Sequence, residues 1–247
     1  MDAAQSKWVQ RMLVEFGREF RENPRMLKAM AEICIRYRRG NEVEAVDSLK
    51  HYLDWRVKQF GNLQDHCISQ DLKLLKQLQT NFLQLSPNRL SNGAAILYMS
   101  MKDHNPSIYT TADTIKCMHF FIIAAMMVDP ELASNGFVFV NDMSHVEYHN
   151  LDMAFPGAVS AAIGKSIPVR LVNIVITNAP MVVRFVIPIV KAILSTKLLE
   201  RLHVVEDNAL PHLLAIAQKN LPVEMGGIIA FDPEYDISQL LQRDWCV

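Results

Sequence analysis

Two histidines four residues apart, His145 and His149, stand with Asp142 and Glu147 in the stretch DMSHVEYH at residues 142–149. Imidazoles and carboxylates gathered in this way are the groups that hold divalent metals. The order is not HExxH, however, and the run follows a strand-like segment, where a spacing of four does not place two side chains on one face. A solvated loop, or histidines bonded to nearby backbone, accounts for the same residues. His119, inside KCMHFFIIAAMMV, has no partner at metal spacing and reads as satisfied in the core or at a pocket wall. Nucleophilic chemistry finds no GxSxG elbow, and phosphate chemistry no P-loop or GxGxxG. Gly226 and Gly227 read as a turn before an apolar IIAF run. Cys34, Cys67, Cys117 and Cys246 form no CxxC pair and suit reduced, mostly buried thiols. Cys246 is second from the end, so it does not match the prenylation pattern. Neither an enzyme nor a metal protein is expected.

Basic residues beside an apolar helix are the more informative constellation. From Met181 to Leu194 only Arg184, Pro188 and Lys191 interrupt apolar residues. Arg184 and Lys191 are seven apart, about 700° of helical rotation, so their charges share one narrow stripe. The remainder must meet a core, a bound apolar ligand or a membrane surface. Fourteen residues span roughly 21 Å of helix, short of the ~30 Å hydrocarbon layer, so no crossing is expected. Arg170, Lys191, Lys197 and Arg201 flank this helix in sequence. A charge run is usually a solvated face, yet beside so apolar a helix it is the combination expected at an anionic membrane.

The elements that position these residues change character along the chain. Helical periodicity runs from Lys7 to Phe60, with Trp8, Met12, Leu13 and Phe16 on one face, a break at Asn23-Pro24, and a second helix from Met26 to Arg38 ended by Gly40. A third spans Glu42 to Phe60 with Val43, Val46, Leu49, Leu53 and Val57 as its apolar spacing, and a fourth spans Leu72 to Leu83. From Pro87 onward strands alternate with helices. Strands are expected at Ala94–Ser100, from Gly136 to Asp142, at Val169–Thr177 and at Leu202–Val205. Helices are expected at Thr111–Val128, Leu151–Lys165 and Met181–Leu194, with closing helices through Leu213, Leu221 and Leu240. This alternation predicts an α/β fold with a mainly parallel sheet behind a helical module, divided as residues 1–85 and 86–247.

Composition narrows the partners. The 25 basic and 26 acidic residues nearly cancel, so no global charge favours nucleic acid. Half of the 247 residues are apolar, and a mean hydropathy of +0.08 is high beside 21 % charged residues. Apolar surface is therefore expected to face something other than water. The N-terminal run MDAAQSKWVQRMLVEF has no apolar h-region, which predicts a cytoplasmic protein without a secretory signal.

Five motifs stand out in order: EAVDSLKHYLDWR (Glu44 to Arg56), NGFVFVNDMS (Asn135 to Ser144), PVRLVNIVITNAP (Pro168 to Pro180), TKLLERLHVV (Thr196 to Val205) and LPVEMGG (Leu221 to Gly227). In order and spacing, over about Met26 to Asp232, they resemble the CRAL-TRIO (Sec14-like) family. The nearest branch by these motifs includes α-tocopherol transfer protein and cellular retinaldehyde-binding protein. The resemblance implies a helical lead-in and a lipid-binding domain whose sheet floors a closed hydrophobic cavity under a lid helix. It implies a non-catalytic carrier without cofactor, binding a tocopherol-, retinoid-, sterol- or phospholipid-like ligand. Such a carrier would transfer its ligand between membranes, touching phosphoinositide-containing surfaces transiently and no nucleic acid.

Carried over by position, the resemblance implies cavity residues His119, Ile123, Phe137, Phe139, Asn141, Val159, Ile163, Ile167, Val169 and Ile174. His119 and Asn141 would orient a ligand hydroxyl or carbonyl in a cavity of several hundred Å³. The implied lid residues are Val182, Val186, Ile189, Val190, Ile193 and Leu194. An implied phosphoinositide groove uses Arg38, Arg170, Lys197 and Arg201, with Lys191 nearby. Two positions depart from the family. Val169 replaces the glutamate of phosphatidylinositol-binding relatives, and Val172 replaces the second basic residue of the tocopherol-type groove. An alternative reading is a protein-interaction module binding small GTPases or other partners. It is expected to fill the interior with Phe120, Phe121, Phe137, Phe155 and Phe185.

Overall fold

The structure is a computed structural model describing residues 3–17, 24–61, 71–80, 82–206 and 209–230. Four helices come first: α1 (Ala3–Phe16), α2 (Pro24–Tyr37), α3 (Glu42–Phe60) and α4 (Leu72–Leu78). α1 buries Trp8, Val9, Met12 and Phe16, the face its spacing predicts. Gly40, at φ 86, follows α2, a backbone geometry that costs glycine little. The Asn41 side chain accepts from the Glu44 N–H at 3.2 Å and starts α3.

α3 turns a different face inward than its valines predict. Ala45, Ser48, Leu49, Tyr52, Leu53 and Arg56 are buried, whereas Val43 and Val57 are exposed. A count of aliphatic residues overlooks a tyrosine and an arginine that find partners inside. α4 ends at Leu78 rather than Leu83, because the chain turns into a strand, β1 (Leu83–Arg89), that Pro87 conceals in the sequence. Proline lacks an N–H for the ladder and is tolerated at a sheet edge, which is where β1 lies.

The sheet continues with β2 (Ala95–Ser100), β3 (Phe137–Asp142), β4 (Leu171–Thr177) and β5 (Leu202–Val205), in the order β1-β2-β3-β4-β5. β1 is antiparallel to β2, and the other pairings are parallel. The connecting helices are α5 (Thr111–Val128), α6 (Glu131–Asn135), α7 (Phe155–Lys165), α8 (Met181–Ile193), α9 (Thr196–Leu199) and α10 (Leu210–Leu214). A reciprocal capping box between Thr110 and Asp113 starts α5. α7 starts at Phe155, not Leu151. Residues 148–150 form a 3₁₀ turn, and the Asn150 amide donates to the carbonyls of Lys102 and His104, which holds the loop out of the helix. The closing segment is less helical than expected. Leu213 lies in α10, which ends as Ala215 adopts φ 50, and Leu221 sits between two 3₁₀ turns. Asn23, Cys67, Leu240 and Cys246 lie outside the described residues.

Both faces of the sheet are covered, so its central strands are apolar on both sides. On one face Ile96, Tyr98, Val138, Val140 and Val175 pack under Leu210, Leu214, Leu221 and Met225. On the other, Leu97, Met99, Phe137, Phe139 and Ile176 join a continuous core that extends to Trp8 in α1. By length and composition α5 could cross a bilayer, but it is mostly buried inside this core.

α5 also joins the helical module to the sheet. Its His119 is 3 % exposed, its Nε2 lies 3.0 Å from the Tyr52 hydroxyl, and the rings of Tyr52, Trp55 and Phe60 surround it. Burial, then the charges of Arg56 and Lys116, push its pKa down to about 3. An unfolded histidine titrates near 6.5, so between those values the unfolded chain binds the extra proton. Stability contributed by neutral His119 is thus complete above about 6.5 and is lost as pH falls. The melting temperature should decline from pH 6.5 to 4.5, with His119 contributing up to about 1.4 kcal/mol per pH unit. His119→Gln, which keeps a partner for Tyr52 without titrating, should flatten that decline; an unchanged slope would refute the assignment.

Candidate functional site

Alternation along the strands aims one set of side chains toward α7 and α8. Met99 on β2, Phe139 and Asn141 on β3, Ile174 and Ile176 on β4 and Leu202 on β5 floor an apolar cavity of about 140 Å³. An irregularity in the β3–β4 register, between Phe137 and Val138, changes the phase of β4, so Leu171 and Ile174 both line it. Val159 and Ile163 of α7 form one wall. Val183, Val186, Ile187 and Val190 of α8, followed by Leu194 and Leu198, form the outer one. Polar groups at the wall are few. The Asn141 amide nitrogen donates to the Val175 carbonyl at 3.1 Å, and Asp152 accepts from the Thr111 hydroxyl at 2.6 Å.

Five expected cavity residues line this space: Phe139, Asn141, Val159, Ile163 and Ile174. His119 does not, because it faces α3. Ile123, Phe137 and Ile167 are buried in the core instead, and Val169 lines a neighbouring groove. Asn141 is therefore the one of the two expected polar handles that reaches the cavity. The volume is also smaller than several hundred Å³, because Met99, Met101, Met118, Met143 and Met153 project into the lining. Aliphatic patterning missed these methionines. The cross-strand pairing of Met99 with Asn141, invisible in the sequence, places one of them.

Of the six residues assigned to the lid, Val186, Val190 and Leu194 line the cavity, while Val182, Ile189 and Ile193 do not. Leu194 is already extended, one residue beyond the end of α8. Met181, Phe185, Ile189 and Ile193, spaced by four, form an outward apolar stripe, with Met181 74 % and Phe185 75 % exposed. α8 thus has two apolar faces. Arg184 does more than stay solvated: it donates to the Ala179 carbonyl and to Glu206, each at 2.8 Å, and so ties the start of α8 to residues beyond β5. Pro188 cannot donate within the helix.

The expected basic residues converge, with one exception. Arg38, Arg170, Lys197 and Arg201 line a groove of about 230 Å³ together with Arg39; Lys191 lies outside it. Val172 does not line it either, since it packs on the opposite face of the sheet. The loop conformation that places Arg39 at φ 51 gave no sequence signal. Arg38 donates to Ser48 at 2.8 Å and to Glu44 at 2.9 Å, and Arg201 donates to the Leu171 carbonyl at 2.6 Å. Burial first, and then the charges of Arg39, Arg201 and Arg38, pull the Arg170 pKa below its usual value. Crowded cations of this kind favour an anion between them. Ile163, Leu171 and Leu198 line both spaces and form the partition between cavity and groove.

His145 and His149 are exposed, and His149 lies 3.4 Å from Glu147. Among the described residues no group of three or more His, Cys, Asp or Glu could hold a metal ion. Cys34 and Cys117 are buried free thiols whose pKa burial raises.

The two faces of α8 can be separated by mutation. Val183 is 4 % exposed, so Val183→Asp should destabilise the fold by roughly 3 kcal/mol or more through an unpaired buried carboxylate. Phe185→Asp should change stability by no more than about 0.5 kcal/mol. Urea denaturation of both variants checks this, and equal losses would overturn the orientation of α8.

The CRAL/TRIO domain family matches residues 79–227, which contain the whole sheet and α5 to α10. Human Clavesin-2 is 26 % identical over 210 residues, covering 82 % of this chain and 62 % of its own length. Clavesin-1 of Xenopus laevis is 25 % identical over 209 residues, covering 82 % and 60 %. Mouse tyrosine-protein phosphatase non-receptor type 9 is 26 % identical over 141 residues, covering 57 % of this chain and 23 % of the relative. The chain therefore spans about three fifths of the length of the Clavesins. The crystal structure of Sfh5 aligns over 98 % of this chain and 97 % of its own, with a TM-score of 0.46 and 13 % identity. With the whole sheet and the cavity inside the matched region, this chain belongs to the CRAL/TRIO domain family.

Proposed function

We propose that the protein is a cytoplasmic carrier that holds one hydrophobic small molecule or lipid in the cavity and transfers it between membranes, with peripheral contact at anionic, phosphoinositide-containing surfaces. Membership in the CRAL/TRIO family suggests lipid binding or transfer in general. The observation that carries the fuller reading is α8: one apolar face lines the cavity while a second faces outward beside a groove of five cations. Swinging such a helix away in water exposes its inner face at about 25 cal/mol per Å², a cost that a bilayer interior offsets. α8 is then a lid that opens at membranes. A cavity of about 140 Å³ is below the ~300–1,000 Å³ of ligand sites, so a lipid-sized guest also needs lid movement or rearranged side chains. Flexible, unbranched methionines suit that rearrangement.

In this reading residues 1–85 form the supporting helical module and residues 86–247 the lipid-binding domain. The ligand is tocopherol-, retinoid-, sterol- or phospholipid-like, in keeping with the branch expected from the motifs. The groove takes the phosphoinositide headgroup through Arg38, Arg39, Arg170, Lys197 and Arg201. The interaction-module reading is less favoured: of the five phenylalanines expected to fill the interior, only Phe155 lines the cavity, and Phe185 faces outward.

Native mass spectrometry of the purified chain, followed by lipid extraction, should find a co-purifying or exchangeable hydrophobic ligand; its absence would favour the interaction module. Val186→Asp, on the cavity side of α8, should shorten ligand retention without abolishing the fold, and unchanged retention would remove the lid role. Lys197 and Arg39 are exposed cations at the groove. Reversing both charges should weaken binding to phosphoinositide-containing vesicles roughly tenfold or more, at about 1 kcal/mol per basic residue, and leave binding to neutral vesicles unchanged. Equal effects on both vesicle types would dismiss the groove.

A further inference from the structure

His104 is 2 % exposed, and neither of its ring nitrogens has a hydrogen-bond partner among the described residues. A neutral imidazole carries one donor and one acceptor, so this ring leaves both unmet where water cannot compensate. It is sandwiched between aromatic rings, with centroids 5.4 Å from Phe82 and 5.5 Å from Phe155, each tilted 31°. Its backbone is fixed, since the Asn150 amide donates to the His104 carbonyl at 2.9 Å. Burial pulls its pKa down, while the charge of Asp152 opposes that shift. Phe155, Met101 and Asp152 all line the cavity. The orphaned imidazole does not itself line the cavity but packs against Phe155, which does.

We propose that His104 is the polar group that orients the cavity ligand, reached when Phe155 swings aside, and that the ligand class is a neutral lipid bearing a hydroxyl group. This rests on the carrier reading above and narrows it. A hydroxyl both donates and accepts, so it can bond whichever ring nitrogen it reaches in either tautomer. An anionic headgroup is disfavoured there by the Asp152 carboxylate and by the apolar box. A wholly apolar ligand would leave both nitrogens unmet. Asn141 is placed less well for this task, because its amide nitrogen is already committed to the Val175 carbonyl.

The test measures extraction of radiolabelled 1-hexadecanol and of hexadecane from phosphatidylcholine vesicles by the full chain and its variants. The hexadecanol-to-hexadecane ratio should fall roughly tenfold in His104→Phe, the equivalent of one hydrogen bond. The variant should still extract hexadecane and melt no lower than the parent, since the replacement removes an unsatisfied buried group. A ratio unchanged by His104→Phe overturns the proposal. Should that variant fail to fold, Phe155→Ala decides: uncovering the imidazole should raise the ratio, and a constant ratio refutes the role. Extraction of neither probe by the parent chain overturns the carrier reading and this proposal with it. Extraction of hexadecane without any preference for hexadecanol overturns the role of His104 alone.

Discussion

A sheet of mainly parallel strands that is apolar on both faces has to be covered on both, and this requirement organises the molecule. One face is closed densely by α10 and the turns that follow it, around Leu210, Leu214 and Leu221. The other is covered by the helical module and α5 over part of its area, and by α7 and α8 over the rest. Under α7 and α8 the cover is incomplete, and the gap is the cavity. The candidate site is therefore a region of the core where packing stops short, rather than a cleft cut into the surface.

Cation placement follows from the same construction. Arg170 directly precedes β4, Arg201 precedes β5, Lys197 lies on α9, and Arg38 and Arg39 lie between α2 and α3. Each element is positioned by apolar packing, yet together they bring five like charges to one groove, where Glu44 is the only acid among the described lining residues. The backbone carbonyl of Leu171, which accepts from Arg201, belongs to a residue whose side chain partitions groove from cavity. Charge and apolar surface thus meet across three side chains, the arrangement on which the proposed carrier role draws.

Much of the fold was legible because its signals are local. Short apolar runs marked β2, β3 and β5, the Thr110–Asp113 capping box marked the start of α5, and Gly40 marked the end of α2. The misplaced features depend on partners distant in sequence. β1 is a strand only because β2 pairs with it and its proline falls at an edge. His119 left the expected cavity because Tyr52, 67 residues away, supplies its hydrogen bond. Five of the ten residues implied by family position line the cavity and five do not, for a similar reason: position along an element goes with the fold, whereas the contact a side chain makes depends on its neighbours. The methionine lining was hidden because methionine marks no periodicity of its own.

The amino-acid sequence alone determined the order and type of most elements, the excess of apolar surface on the segment from Met181 to Leu194, and the presence of cations on either side of it. These follow from side-chain chemistry and backbone preference within a few residues. Tertiary structure alone decided which face of that helix lines the cavity and which points outward. It also decided that Arg39 rather than Lys191 completes the groove, and that His104 is buried without a hydrogen-bond partner among the described residues. Those outcomes depend on which distant surfaces meet, and the free energy of a buried side chain depends on what surrounds it, not on its place in the chain.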